Sequence, residues 1–327
     1  MKLTLRAVAL LMSTVVYGAA HGQSSEPAAS YPSKPVRVIV PLAAGGTTDV
    51  IARLAGVVFQ KHFNQSLIVE NRPGGGGLVG MDPVVKAPAD GYTLLMNANG
   101  FVTEEATNKE WPIRALRDLT PITIIGGSGL VISISNKTPA NSLRELVAYS
   151  KANPGKLNEA VLGNVSANIA IIKHRSGIGP VELVLYKGGA PGTQAVAAGE
   201  ADFVGGSVTD IVPLAKAGRV KPLVYTGKTR HPQLPEVPTV NEAGVGISDY
   251  DGVSWYGLLG PAGMNSEIVE KLYRAMADLY VLPETADKMN ATGQLKFSTT
   301  PAQMREAIAR MKKDYEDALA AGVKLRM

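Results

Sequence analysis

Two stretches of this chain gather groups that hold anions without a charged side chain. The first follows the apolar run Val36–Leu42 and reads Ala43-Ala44-Gly45-Gly46-Thr47-Thr48-Asp49 before a helical pattern begins. The second follows Leu67-Ile68-Val69-Glu70 and reads Asn71-Arg72-Pro73-Gly74-Gly75-Gly76-Gly77. A strand, a glycine turn and a helix start leave several backbone N–H groups unpaired at one point, and the helix dipole adds to their pull. The stretch from Ala43 through Thr48 thus offers amides and two hydroxyls, a donor set suited to a carboxylate. Asp49 is out of place beside an anion; its expected task is to cap the helix or to orient the loop and its waters. A purely structural turn fits the same residues.

The second turn lacks the Gly-Lys-Ser/Thr ending of a nucleotide loop, so nucleotide binding is not expected. Its glycines suit either close backbone approach to a ligand or a tight turn. Asp82-Pro83 reads as a cap and first-turn proline, which predicts that the next helix starts at Pro83. Asn97 and Asn99, after the strand pattern Thr93–Met96, are ligand donors or an Asx turn. Catalytic patterns are missing. His62, His174 and His231 lack metal-ligand spacing, there is no Gly-x-Ser-x-Gly elbow, and no carboxylates form a recognisable pair. No enzyme activity, metal or cofactor is expected.

The elements that must position these groups alternate between strand and helix, which predicts an α/β fold with largely parallel sheets flanked by helices. Strand cores are expected at Val36–Leu42, Leu67–Val69, Thr93–Met96, Ile122–Ile125, Leu130–Ile134, Val181–Tyr186, Asp202–Val204, Lys221–Tyr225 and Val253–Leu259. Asp49–Phe63 places Val50, Leu54, Val57 and Val58 on one helical face. Ser142-Leu143-Arg144-Glu145 and Thr300-Pro301-Ala302-Gln303 are capping boxes, the second opening a long terminal helix that stops at Gly322. Glycine-rich passages at Gly126–Gly129 and around Gly244–Gly252 are read as crossings between two domains. The first domain is then 31–127 plus 251–327 and the second 128–250. Two crossings make a hinge, and a hinge between α/β lobes makes a cleft that can close on a ligand.

Lys2 and Arg6 precede the apolar run from Ala7 to Val16, and Ala20-His21-Gly22 offers a small-x-small cleavage site. This is the pattern of a secretory signal peptide over residues 1–22, the apolar run being well short of the ~20 residues a spanning helix needs. Export to the periplasm is the expectation. The net charge of +5 falls to +3 without Lys2 and Arg6, and no dense basic stripe argues for nucleic acid. The chain has no cysteine, which removes disulfides, thiolate metal sites and a cysteine nucleophile.

Several longer motifs occur in order. Tyr31-Pro32-Ser33-Lys34-Pro35-Val36-Arg37 leads into Pro41 and Gly45-Gly46-Thr47-Thr48-Asp49, followed by Val69-Glu70-Asn71-Arg72-Pro73-Gly74 and Ala87-Pro88-Ala89-Asp90-Gly91-Tyr92-Thr93-Leu94. Later come Tyr186-Lys187-Gly188, Leu234-Pro235-Glu236-Val237-Pro238-Thr239 and Trp255-Tyr256-Gly257-Leu258. The set resembles the Bug family, extracytoplasmic solute receptors of the tripartite tricarboxylate transporter type, over nearly the whole chain beyond the leader. The resemblance implies a type II periplasmic binding-protein fold, with a small carboxylate held in the interlobe cleft and delivered to membrane subunits of a secondary transporter. A monomer is expected. The alternatives are a sensory partner of a membrane kinase and a periplasmic hydrolase.

The same resemblance implies site residues. The loop Leu42, Ala43, Ala44, Gly45, Gly46, Thr47, Thr48 and Asp49 faces the ligand from the first lobe; Asn97 and Asn99 are expected to join it from their own position at the C-terminal end of a strand. In the second lobe, Asn164, Val165 and Ser166 lie where relatives carry a Gly-Asn-Gly-Ser loop, Val165 replacing a glycine; Ser166 also suits a plain helix cap. Lys187 is a cation for a carboxylate or an ordinary surface lysine. Gly206 and Ser207 stand where many relatives have an acid and an Asn. At Gly205-Gly206-Ser207 the missing acid removes a partner for an amino group and frees space, which predicts a bulky ligand without an amino group, such as a longer dicarboxylate or an aromatic carboxylate. Trp255-Tyr256 is read as hinge packing rather than a stacking platform.

Overall fold

A computed structural model describes residues 27–162, 166–186, 189–291, 294–323 and 325. The first run is β1 (Val36–Val40), α1 (Thr47–Phe63), β2 (Leu67–Asn71), α2 (Leu78–Val85), β3 (Thr93–Ala98), α3 (Gly100–Thr107), α4 (Ala115–Asp118) and β4 (Leu119–Ser128). The chain then builds β5 (Leu130–Ser135), α5 (Leu143–Ala152), β6 (Asn158–Leu162), α6 (Ala167–Ser176), β7 (Glu182–Tyr186), α7 (Gly189–Ala198), β8 (Phe203–Ser207), α8 (Val208–Lys216) and β9 (Val220–Tyr225). It ends with β10 (Ser254–Pro261), α9 (Ser266–Met276), α10 (Pro283–Ala291), β11 (Leu295–Lys296) and α11 (Pro301–Ala320).

The strands form two sheets, ordered β11-β4-β10-β3-β1-β2 and β7-β6-β8-β5-β9. Both are mixed. The parallel pairing expected from the strand–helix alternation holds on one side of each, in β3-β1-β2 and β7-β6-β8. The remaining pairings, among β3, β10, β4 and β11 and among β8, β5 and β9, are antiparallel. Strand β6 escaped sequence reading because Asn158-Glu159 breaks its apolar run; Glu159 is buried and paired with Lys173 of α6.

Side-chain alternation buries both faces of the six-stranded sheet. Val36, Val38, Val40, Leu94 and Met96 pack in one cluster with α1 and α9 through Ile51, Val58, Phe59 and Leu272. Ile39 and Leu95 belong to another, with Met81 of α2, Phe101 of α3 and Met304 and Ile308 of α11. This second cluster continues into the five-stranded sheet through Ile171 and Ile172 of α6 to Ile132 and Ile134.

One residue, Gly129, separates β4 from β5. A Cβ there would lie 2.7 Å from the Gly227 nitrogen and 2.8 Å from Thr226 Oγ1, so only glycine lets the crossing strands pass this close. Thr226 ties the passage together: its Oγ1 accepts the Leu130 N–H at 2.8 Å and donates to the Gly252 carbonyl at 3.0 Å.

Two local expectations change. Helix α2 begins at Leu78, not at Pro83, and carries Pro83 inside it. Gly80 explains the early start: a Cβ would meet Pro41 Cβ at 2.7 Å and the Arg72 carbonyl at 2.8 Å, so the helix sits flush on the end of β1. Close packing there outweighs the hydrogen bond that Pro83 cannot make. At α5, Ser142 accepts the Glu145 N–H at 3.1 Å, but Glu145 Oε2 takes the Asn141 N–H at 2.8 Å, so the reciprocal arm lands one residue early. The box at Thr300 and Gln303 is complete.

Candidate functional site

The turn after β1 presents Leu42, Ala43, Ala44, Gly45 and Gly46 to solvent, while Thr48 and Asp49 are buried behind them. Gly45 takes φ +84°, which suits glycine. Gly46 is the N-cap of α1 and has no side chain to cap with, so the first-turn amides stay available.

The support for this turn comes from three side chains. Asp49 Oδ2 accepts the Gly45 N–H at 2.9 Å and the Arg53 Nε–H at 3.0 Å, and a second Arg53 nitrogen lies 3.0 Å from Oδ1. The Asn71 amide donates to the Leu42 carbonyl at 3.1 Å, and Arg53 reaches Asn71 Oδ1 at 3.3 Å. Burial pushes the Asp49 carboxyl up, but hydrogen bonds from Arg53, Gly45 and Asn71 outweigh it and hold the group below its usual range. Asp49 is therefore an ionised brace whose charge Arg53 matches. It orients the loop, and it also removes one amide, that of Gly45, from the expected donor set. Arg53 and Asn71 are the members that residue-by-residue reading missed, although the i,i+4 spacing of Asp49 and Arg53 was a usable signal.

The other expected residues divide. Thr47 is half-buried, and its side chain faces the half-buried Tyr256 of β10. Asn97 and Asn99 are buried and point into the core; their amides reach Met81 Sδ at 3.5 Å and Met311 Sδ at 3.2 Å. Their surroundings are those of packing residues. Trp255 is buried edge-on against Phe101 at 6.0 Å. Asn164, Val165 and Lys187 lie outside the described residues, as does the leader at 1–22.

On the five-stranded sheet, the starts of α6, α7 and α8 border a cavity of about 240 Å³ lined by Leu130, Ser166, Ile169, Gly189, Ser207 and Asp210, among others. Ser166 and Ser207 both act as helix caps, accepting the N–H of Ile169 at 3.5 Å and of Asp210 at 3.2 Å. The room expected beside Gly205 and Gly206 is taken. A Cβ on Gly205 would collide with Ile169, and one on Gly206 would lie 3.0 Å from Ile211. Nor is the wall without an acid, since Asp210 supplies a carboxylate one helical turn further on. The two glycines themselves thus add no open space, and an acid lies on the same wall. A larger cavity of about 660 Å³ between α11, α6 and residues 250–255 contains none of the expected site residues.

Comparison with known proteins decides the family. A model described as the tripartite tricarboxylate transporter family receptor matches residues 51–318. The chain belongs to this receptor family. Among relatives, it is 31% identical over 267 residues to a UPF0065 protein of Pseudomonas sp. strain P51, covering 81% of this chain and 79% of that one. It is 29% identical to protein BugT of Bordetella pertussis, covering 86% of each. A solute-binding receptor from Polaromonas, solved without ligand, superposes with TM-score 0.80 over 89% of this chain and 99% of that one; at 24% identity it speaks for the fold alone. MatC from Rhodopseudomonas palustris with bound malate superposes at 0.67 with 28% identity, covering 88% and 99%. An R. palustris protein with adipate gives 0.68 and 29%, covering 90% and 99%. The family consists of receptors, and the α/β architecture with two helix-flanked sheets is the one its members share.

Proposed function

We propose that this receptor captures a small carboxylate in the periplasm, without converting it, and delivers it to the membrane subunits of a tripartite transporter. The lobes of this reading are residues 31–127 plus 251–327 and residues 128–250, joined at the Gly129–Thr226–Gly252 passage. The observation that carries it is the turn at 42–48: an exposed backbone face at a helix start, whose one nearby acid is neutralised by Arg53. Such a face attracts a carboxylate and lets it go again, since no cation is committed to the guest. Relatives solved with malate and adipate support the ligand class.

The open cleft loads the anion on this turn, and the rim formed by Ser166 and Ser207 closes over its other end. Closure draws on the difference in ligand affinity between the open and closed forms. A thermal-shift screen of mono-, di- and tricarboxylates tests the reading. Stabilisation that grows with concentration is expected for at least one acid. Turnover of a carboxylic ester, or no response to any carboxylate, would sink it.

A further inference from the structure

The cavity on the five-stranded sheet is more than a second anion trap. Three helix starts converge on it, those of α6, α7 and α8, and their dipoles favour negative charge. The protein already supplies that charge. Asp210 Oδ2 accepts the Ser207 hydroxyl at 2.8 Å, while the Asp210 N–H donates to the same Oγ at 3.2 Å. Gly189, the first residue of α7, sits so close that a Cβ there would collide with Oδ2. A glycine at this position is what lets the carboxylate stand against the second helix start.

Glu159 also lines this cavity, but Lys173 is paired with it. Among the described residues Asp210 relies on a hydroxyl, and a carboxylate has about four acceptor positions, most of them unused here. A second ligand carboxylate brought to this wall meets a like charge. A hydroxyl or ammonium group brought there meets an acceptor.

We propose that Asp210 is a specificity-determining residue, selecting a carboxylate that also carries a hydroxyl or ammonium donor where it meets the second lobe. The inference rests on the receptor reading above and narrows its ligand class. Asp210 binds the donor, and the turn at 42–48 holds the carboxylate.

Isothermal titration with matched acids tests this: succinate, malate and aspartate as one set, and glutarate, 2-hydroxyglutarate and glutamate as the other. In at least one set, the hydroxy or amino acid is expected to bind roughly tenfold or more tighter than the plain dicarboxylate, as for a hydrogen bond to a charged group. In Asp210→Ser that ratio collapses toward one from both sides, the plain acid gaining affinity and the donor-bearing acid losing it. A residue that merely held α8 in place would weaken both acids together. Asp210→Asn separates the two donors, because the amide oxygen still accepts from a hydroxyl while the charge that favours an ammonium is gone. Should the serine variant fail to fold by thermal unfolding, the asparagine variant's ratio carries the test. Equal binding of plain and donor-bearing acids, or a preference that survives both substitutions, overturns the role of Asp210 and leaves the receptor reading standing. If no acid of either set binds, the role of Asp210 falls, while the receptor reading stands or falls by the wider carboxylate screen.

Discussion

At the turn after β1 the supporting side chains stand behind the backbone; at the rim of the five-stranded sheet they stand within it. Asp49, Arg53 and Asn71 hold the first turn from its buried side and leave the outer amides of 42–48 open. At the second rim, Ser166 and Ser207 spend their hydroxyls on capping, Gly205 and Gly206 are filled by Ile169 and Ile211, and Asp210 faces the cavity. On the proposed reading, similar residue types give one general surface for a carboxylate and one that discriminates. The difference teaches that a small residue in sequence is not a space in structure. What matters is whether a neighbour has already grown into it.

The largest expected effect comes from breaking the first brace. Asp49→Ala leaves the Gly45 amide and Arg53 without their partner at a position where Asp49 is only 3% exposed. It should cost about 2–3 kcal/mol by chemical denaturation, since hydrogen bonds to a buried charge are lost together, and carboxylate affinity should fall by roughly tenfold or more. Unchanged affinity in a folded variant would show that the turn needs no brace.

Gly205→Ala probes the other rim. It drives a methyl into Ile169 and is expected to destabilise by about 1–3 kcal/mol, the usual cost of overpacking. Combined with Ile169→Ala, the two losses should be clearly non-additive in a double-mutant cycle. Additive losses would mean that the glycine does not serve this contact.

A smaller effect separates charge from shape. Asn71→Ala removes the amide from the Leu42 carbonyl and should lower stability by about 1 kcal/mol, with a several-fold loss of affinity and no change in which acid is preferred. A changed preference would move discrimination to the first rim.

The smallest effect at neutral pH concerns titration. The folded-state pKa of Asp49 lies below its unfolded value, so its contribution is fully present above the ordinary carboxylate range and is lost as pH falls through the lower folded value. The stability gap between the native protein and Asp49→Asn should stay level near neutrality and close only below about pH 4. A gap that closes between pH 5 and 7 would contradict an ionised, paired Asp49.

Much of the fold was legible because local signals and burial agree in it. The apolar runs at Val36–Val40 and Thr93–Met96 read as buried strands, and they are buried on both faces. The box at Thr300 starts α11 because capping uses residues three apart. Where a distant contact decides, sequence reading failed. Helix α2 starts at Leu78, where Gly80 fits against Pro41, and β6 buries Glu159 against Lys173 of a later helix. Asn97 and Asn99 looked like ligand donors at a strand end, but the core closes over them.

The sequence by itself determined the alternation of strands and helices, the position of the donor-rich turn after the first strand, and the motifs that mark a receptor family. These follow from periodicity, turn chemistry and chain order, which act over a few residues at a time. Only the tertiary structure decided which donors remain free, that Asp49 is paired with Arg53 and reaches back to Gly45, and that Asp210 lines the cavity at the second rim. Those outcomes depend on which surfaces meet across the fold. A charge is neutralised, or a gap filled, by whichever neighbour packing brings there.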